Sequence, residues 1–109
     1  MTTGILAIWN TCAAGHEDAY EAWYQREHLP ERLSLPGFRR GRRYWAADGG
    51  PGFFTYYETD TPEVMATADY LARVQDPTPL TRRIMASVFT DMNRTVCRVV
   101  GRVGHARGA

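Results

Sequence analysis

The residues best suited to chemistry in this 109-residue chain lie close together near its N-terminal third. Tyr24 and His28 are four residues apart, so on a helix they share one face, and Trp23 and Glu27 are related in the same way. An imidazole or a carboxylate on an aromatic stripe needs polar partners or faces a cavity. Because imidazole titrates near neutral pH, His28 is a candidate acid or base. We therefore predict that His28 moves a proton, with Glu27 orienting a donor or binding the ligand.

The same pair has a structural interpretation. Pro30 has no N–H for the preceding helical turn, so we expect it to end or bend the helix. His28 would then cap the broken helix, and Glu27 would pair with an arginine such as Arg40 or Arg43. The sequence leaves both interpretations open.

Residues 39–45 hold four arginines and two aromatic residues. On a strand, alternation places Arg40, Arg42 and Tyr44 on one side and Arg39, Arg43 and Trp45 on the other. A nucleic-acid surface is one interpretation, but the net charge of +1 disfavours it. The other two are ion pairs with acidic residues, and an arginine that clamps a carboxylate or phenolate of a ligand. Tyr44 or Tyr57 is suited to donate a hydrogen bond to a developing oxyanion. The residues predicted to contact a hydrophobic, aromatic small molecule are Trp9, Trp23, Tyr24, Arg43 and Trp45.

Composition and missing motifs narrow the chemistry further. All 13 basic residues are arginine, which excludes a Schiff base on lysine. Walker, GxSxG, HExxH and CxxC motifs are absent, so we predict no metal and no cofactor. The two cysteines, Cys12 and Cys97, are predicted to be small buried residues. With no long apolar run and no signal-peptide pattern, the sequence predicts no membrane partner and a cytoplasmic location.

Hydrophobic periodicity predicts an α+β protein with the ferredoxin-like order βαββαβ. That order implies a four-stranded antiparallel sheet with its helices on one face. We expect residues 1–103 to form a single domain, with a flexible tail at residues 104–109. The predicted elements are strands at 4–12, 38–47, 53–59 and about 88–103, a helix from 16 broken at 30 with a second piece at 30–33, a helix at 60–74 and a short helix at 79–86 capped by Thr78.

The first strand predicts self-association. Ile5, Ala7 and Trp9 face one way and Leu6 and Ile8 the other, so both faces are largely apolar. The chain supplies only enough helix to cover one side of the sheet. Packing the uncovered side against a second copy would bury roughly 700–1,000 Å² per subunit, the range of a stable dimer. We therefore predict a homodimer.

Residues 23–38 carry the pattern Trp-Tyr-x-x-Glu-His-x-Pro-Glu-Arg-x-x-x-Pro-Gly-Phe, followed by Gly-Arg-Arg-Tyr at 41–44. This segment resembles the EthD-like branch of the dimeric α/β-barrel superfamily. The resemblance implies a ligand site between the sheet and the helices of each subunit, with His28 facing it. Superfamily members include polyketide cyclases, muconolactone-type isomerases, cofactor-free quinol monooxygenases, haem-degrading enzymes and proteins with no known reaction.

Together, the residues and the resemblance predict a cofactor-free enzyme that acts by proton transfer on an aromatic or polyketide-like molecule. An isomerase, a cyclase or a lyase would fit. The alternatives are a cofactor-independent monooxygenase of the same fold and a non-catalytic ligand-binding protein.

Overall fold

Four strands form one antiparallel sheet in a computed structural model that describes residues 2–47 and 52–101. The strands are β1 (Gly4–Cys12), β2 (Phe38–Trp45), β3 (Phe53–Thr59) and β4 (Phe89–Arg98), in the spatial order β2-β3-β1-β4. The predicted fold class is confirmed, although β2 and β4 are shorter than expected. The predicted tail and most of the predicted loop at 48–52 lie outside the described residues.

The helical segments differ from the predicted ones in two places. They are α1 (Glu17–Trp23), a π-helical turn (Tyr24–His28), α2 (Leu29–Leu33), a 3-10 turn (Pro62–Ala66), α3 (Ala68–Gln75) and α4 (Pro79–Ser87).

The predicted helix break at Pro30 is replaced by a widened turn just before it. The N–H of Leu29 donates to the carbonyl of Tyr24, five residues earlier, which defines the π turn. Pro30 then lies in the first turn of α2, where its missing N–H costs no intrahelical bond. His28 precedes α2 with helical backbone angles and makes no side-chain cap bond, so the expectation that it caps the helix is wrong.

The prediction of a single helix at 60–74 is wrong, because the chain is extended at Thr67. The Thr67 hydroxyl donates to the carbonyl of Val64 at 2.7 Å and accepts from the N–H of Tyr70 at 3.4 Å. It therefore closes the 3-10 turn and caps α3 at once. The predicted cap of α4 is confirmed, since the N–H of Thr81 donates to Thr78 Oγ1 at 3.1 Å.

The two faces of the sheet have different neighbours. On the helix side, Leu6, Ile8 and Tyr57 are buried in a core cluster with residues of the 3-10 turn and α3. The opposite side, here called the open face, includes Trp9 and Tyr44, which are 47% and 46% exposed. Aromatic rings pack against one another on this face, and the centroids of Trp9 and Phe54 are 4.9 Å apart. The residues that form it are Ile5, Ala7, Trp9, Arg40, Arg42, Tyr44, Phe54, Tyr56, Glu58, Asn93, Thr95 and Cys97.

The turn before β2 requires glycine at position 37. Gly37 has a φ of 87°, and a Cβ there would lie 2.6 Å from Cγ2 of Val64. Gly15 is a matched control, because its φ is 84° and nothing lies within 4 Å of its Cβ position. We expect Gly15→Ala to cost about 1–2 kcal/mol of unfolding free energy for the left-handed backbone. Gly37→Ala should cost about 1–3 kcal/mol more because of the clash. Urea unfolding measures both, and equal losses would show that the Val64 contact is unimportant.

Candidate active site

The π turn fixes the position of His28. Its ring stacks on Trp23, with centroids 4.4 Å apart and planes at 23°, and meets the edge of Tyr24 at 5.2 Å. Trp23 is held in turn, because its indole Nε1 donates to Thr81 Oγ1 at 3.0 Å. A regular helix would place residues four apart on one face, whereas the wider turn brings residues five apart into contact. Trp23 therefore holds the ring of His28 in place by stacking against it.

A cavity of about 180 Å³ lies where the two hydrophobic clusters of the protein meet. The helix side of β1 and β3 forms its floor, and the π turn, α3, α4 and β4 form its walls. Apolar side chains form part of its mouth, since the lining residues Val74, Met85 and Met92 are exposed. The lining residues are Leu6, Ile8, Tyr24, His28, Arg32, Tyr57, Tyr70, Val74, Pro77, Thr81, Met85, Phe89, Met92 and Arg94.

Three polar atoms on the cavity wall have no hydrogen-bond partner in the described part of the chain. They are the hydroxyls of Tyr24 and Tyr57 and the Nδ1 of His28, and all three are buried. A buried polar group without a partner costs about 1–3 kcal/mol. Such groups in native proteins call for an explanation, and a bound ligand that pairs with them is a physical one. The arrangement can therefore hold a small molecule with polar atoms at its buried end.

Electrostatics keeps these groups uncharged. Burial, reinforced by the positive charges of Arg32 and Arg43, lowers the pKa of His28 from 6.5 to about 3. Burial also raises the pKa of both Tyr24 and Tyr57. At neutral pH the cavity therefore presents a neutral imidazole and two protonated hydroxyls, within a positive field that favours an anionic ligand.

The neutral state of His28 makes the protein sensitive to acid. The unfolded chain takes up a proton at His28 below about pH 6.5, whereas the folded chain does so only near pH 3. Stability therefore falls as pH falls through this window, by up to about 1.4 kcal/mol per pH unit. We expect urea unfolding between pH 4 and pH 6.5 to show a shallower pH dependence for His28→Gln than for the wild type. An equal pH dependence of the unfolding free energy in the two proteins would contradict a buried neutral imidazole at His28.

Arg43 lies behind the cavity wall. Its guanidinium sits 3.8 Å from the ring centroid of Tyr24, pairs with Glu21 and donates to Thr55 Oγ1 at 3.3 Å. Arg43 and Trp45 line a separate cleft of about 320 Å³ beside α1. Arg43 thus acts on the cavity through Tyr24 and through its charge, and it does not line the cavity.

Glu27 is placed away from the cavity. One of its carboxylate oxygens accepts from Thr78 Oγ1 at 2.9 Å and from Thr81 Oγ1 at 3.1 Å. These bonds tie the π turn to the start of α4. The expected pairing of Glu27 with Arg40 or Arg43 is not formed, because those arginines pair with Glu58 and Glu21. Glu27 therefore joins the π turn to α4 beside His28 and does not line the cavity.

Three further predicted residues are not brought to His28. Trp9 and Tyr44 lie on the open face, on the opposite side of the sheet from the cavity. Trp45 is exposed and lines the cleft beside α1. Strand alternation correctly separates Tyr44 from Arg43, but it does not say which side the helices cover.

Sequence reasoning missed the charged wall of the cavity. Arg32 and Tyr70 line it, and so does Arg94. The register pairs Arg94 with Ile8, so Arg94 lies on the helix side of the sheet. The signal was the alternation itself, but the pairing of β4 with β1 decides which side of the sheet each residue lies on.

The described residues show neither a metal-binding cluster nor a membrane-spanning helix. Residues 2–47 and 52–101 hold no group of three or more His, Cys, Asp or Glu placed to bind a metal ion. In the same ranges no helix is both long and apolar enough to cross a membrane.

Comparison with known proteins identifies the fold. No protein-family profile matches the sequence, and neither does any curated protein. Solved structures do match. A dimeric ferredoxin-like protein from an uncultured marine organism has a TM-score of 0.70 at 15% identity, covering 97% of this chain and 95% of that one. The chain has the ferredoxin-like fold.

Two other similar structures have more specific descriptions. A protein described as an antibiotic biosynthesis monooxygenase, from Nitrosomonas europaea, has a TM-score of 0.63 at 14% identity, with 94% of each chain covered. An EthD-family protein from Bacillus halodurans has a TM-score of 0.58 at 13% identity, covering 92% of this chain and 100% of that one. At these identities the likeness concerns the ferredoxin-like fold alone.

Proposed function

We propose that the protein is a small-molecule enzyme that binds an aromatic, enolisable substrate in the cavity and catalyses a cofactor-free proton transfer on it. The class of reaction is isomerisation, cyclisation or elimination. The observation that carries the proposal is the set of buried, unpartnered polar atoms of Tyr24, His28 and Tyr57 on the cavity wall.

Each group has a defined part in the chemistry. The neutral imidazole of His28 takes a proton from a carbon next to a carbonyl, and the C–H electron pair moves to form an enolate. The hydroxyls of Tyr24 and Tyr57 donate hydrogen bonds to the enolate oxygen. The charges of Arg32 and Arg94 favour the anion, and the anion in turn raises the affinity of His28 for the proton. Return of that proton to another atom completes an isomerisation.

Deuterium exchange tests this proposal without knowledge of the natural substrate. Phenylacetone is a neutral, single-ring carbon acid whose methylene protons are visible by proton NMR. In D₂O, with no added cofactor, we expect the protein to accelerate the loss of this signal. If phenylacetone and related single-ring ketones bind but their exchange is not accelerated, the protein belongs to the ligand-binding class.

Cofactor-independent oxygenation is the second candidate. It begins with the same removal of a proton, after which the substrate carbanion reacts with O₂. The likeness to a structure described as an antibiotic biosynthesis monooxygenase favours it. An oxygen electrode separates the two, because proton transfer alone consumes no O₂.

We also propose that the protein works as a homodimer joined through the open face. This face includes the half-exposed Trp9 and Tyr44, and the helices pack on the other side of the sheet. A two-fold axis would let the same surface meet itself and close. A similar structure is itself described as a dimeric ferredoxin-like protein.

The free thiols of Cys12 and Cys97 support the proposed cytoplasmic location, where cysteines stay reduced.

A further inference from the structure

We propose that the substrate is a single-ring aromatic acid, with its ring in the cavity and its anionic group held at the mouth by Arg94. This inference rests on the proposed function, because it names the class of molecule that the same cavity takes.

The size of the cavity limits the ligand to one ring. An apolar cavity of about 150 Å³ is known to hold benzene. The cavity beside His28 has a volume of about 180 Å³, which leaves little space beyond one ring and a short substituent. Fused, multi-ring molecules exceed it. Leu6 and Ile8 on the floor and Phe89 on a wall are apolar and match the faces of a ring.

The charge at the mouth is positive and not neutralised. Arg94 lines the cavity, and its Nη2 donates to the hydroxyl of Tyr70 at 2.8 Å. That bond fixes the guanidinium beside a buried ring. Among the described residues, no carboxylate lies within 4.0 Å of Arg94, and no acidic residue lines the cavity. Its remaining N–H donors are therefore free for an anion.

Other arginines nearby are already paired. On the same strand and face, Arg98 pairs with Glu63 at 3.2 Å. Arg32 lines the cavity but pairs with Glu31 at 3.2 Å. Arg94 thus combines a place on the cavity wall with free donors, which suits the two oxygens of a carboxylate.

The test compares an acid with its neutral counterpart. Phenylacetate and 2-phenylethanol share the ring and the chain length and differ in charge. Calorimetric titration is carried out on the wild type, on Arg94→Gln, and on Arg98→Gln as the control. We expect Arg94→Gln to weaken phenylacetate binding about tenfold and to change 2-phenylethanol binding less than twofold. Arg98→Gln should leave both affinities within twofold of the wild type.

Each other outcome counts against a defined part of the proposal. If both arginine variants weaken the binding of phenylacetate equally, or if phenylacetate does not bind, the proposed role of Arg94 is overturned. Binding of 1-naphthylacetate as tight as that of phenylacetate overturns the limit of one ring. Failure of the proposed function looks different: phenylacetate binding depends on Arg94, yet the exchange of phenylacetone protons is not accelerated.

Discussion

Replacement of Tyr44 by glutamate is expected to convert the protein from a dimer to a monomer. Tyr44 is 46% exposed on the open face, and its ring is 5.8 Å from that of Phe54, measured between centroids. In the proposed dimer a carboxylate there would be moved from water into the interface, and this desolvation costs free energy even beside Arg42. We expect the dimer dissociation constant to rise at least about a hundredfold, or roughly 3 kcal/mol. Leu71→Glu is the matched control, because Leu71 is 40% exposed but lies on α3, in the helix layer.

Sedimentation velocity at micromolar concentration measures this effect, with circular dichroism to confirm that the variants are folded. The physical reason for the dimer is the apolar area of the open face. Burying several hundred Å² of it per subunit contributes at about 25 cal/mol per Å² against the cost of association. A wild-type species of 12.3 kDa that stays folded on dilution would contradict the dimer. So would a Tyr44→Glu protein that remains dimeric.

Replacement of His28 by glutamine is expected to reduce the rate of phenylacetone exchange by about 10²–10⁴-fold, the usual contribution of a general base. Glutamine is close to histidine in size and keeps a donor and an acceptor, but it cannot carry the proton. His16→Gln is the control, because His16 is exposed and precedes α1. Proton NMR in D₂O gives both rates. A His28→Gln protein that binds phenylacetone and keeps the wild-type rate would remove His28 from the mechanism.

Local sequence signals were sufficient for much of the fold. The apolar run at 4–12 correctly predicted β1, and the density of aromatic residues and threonine at 53–59 correctly predicted β3. Thr78 followed by proline correctly predicted the start of α4, because cap chemistry acts over three residues. The break between the 3-10 turn and α3 at Thr67 has the same kind of local signal, a threonine hydroxyl that caps a helix. There the hydroxyl bonds of Thr67 ended one helix and began another.

The candidate site was only partly predictable. Tyr24 and His28 were placed on one face from their spacing, and both line the cavity. The contact of His28 with Trp23 was missed, because it depends on a π turn that helical periodicity does not include. Arg94 was missed for a different reason. Its side of the sheet is set by pairing with β1, more than 80 residues away in sequence.

The most direct test of the site is the nitrogen NMR signal of His28 Nδ1, recorded with and without saturating phenylacetone. In the free protein this atom has no hydrogen-bond partner among the described residues. The proposed mechanism requires the ligand to reach it, so we predict that saturation shifts the Nδ1 signal and that the shift is lost when phenylacetone is washed out. Binding confirmed by calorimetry, with an unchanged Nδ1 signal, would contradict the assignment of this cavity as the active site.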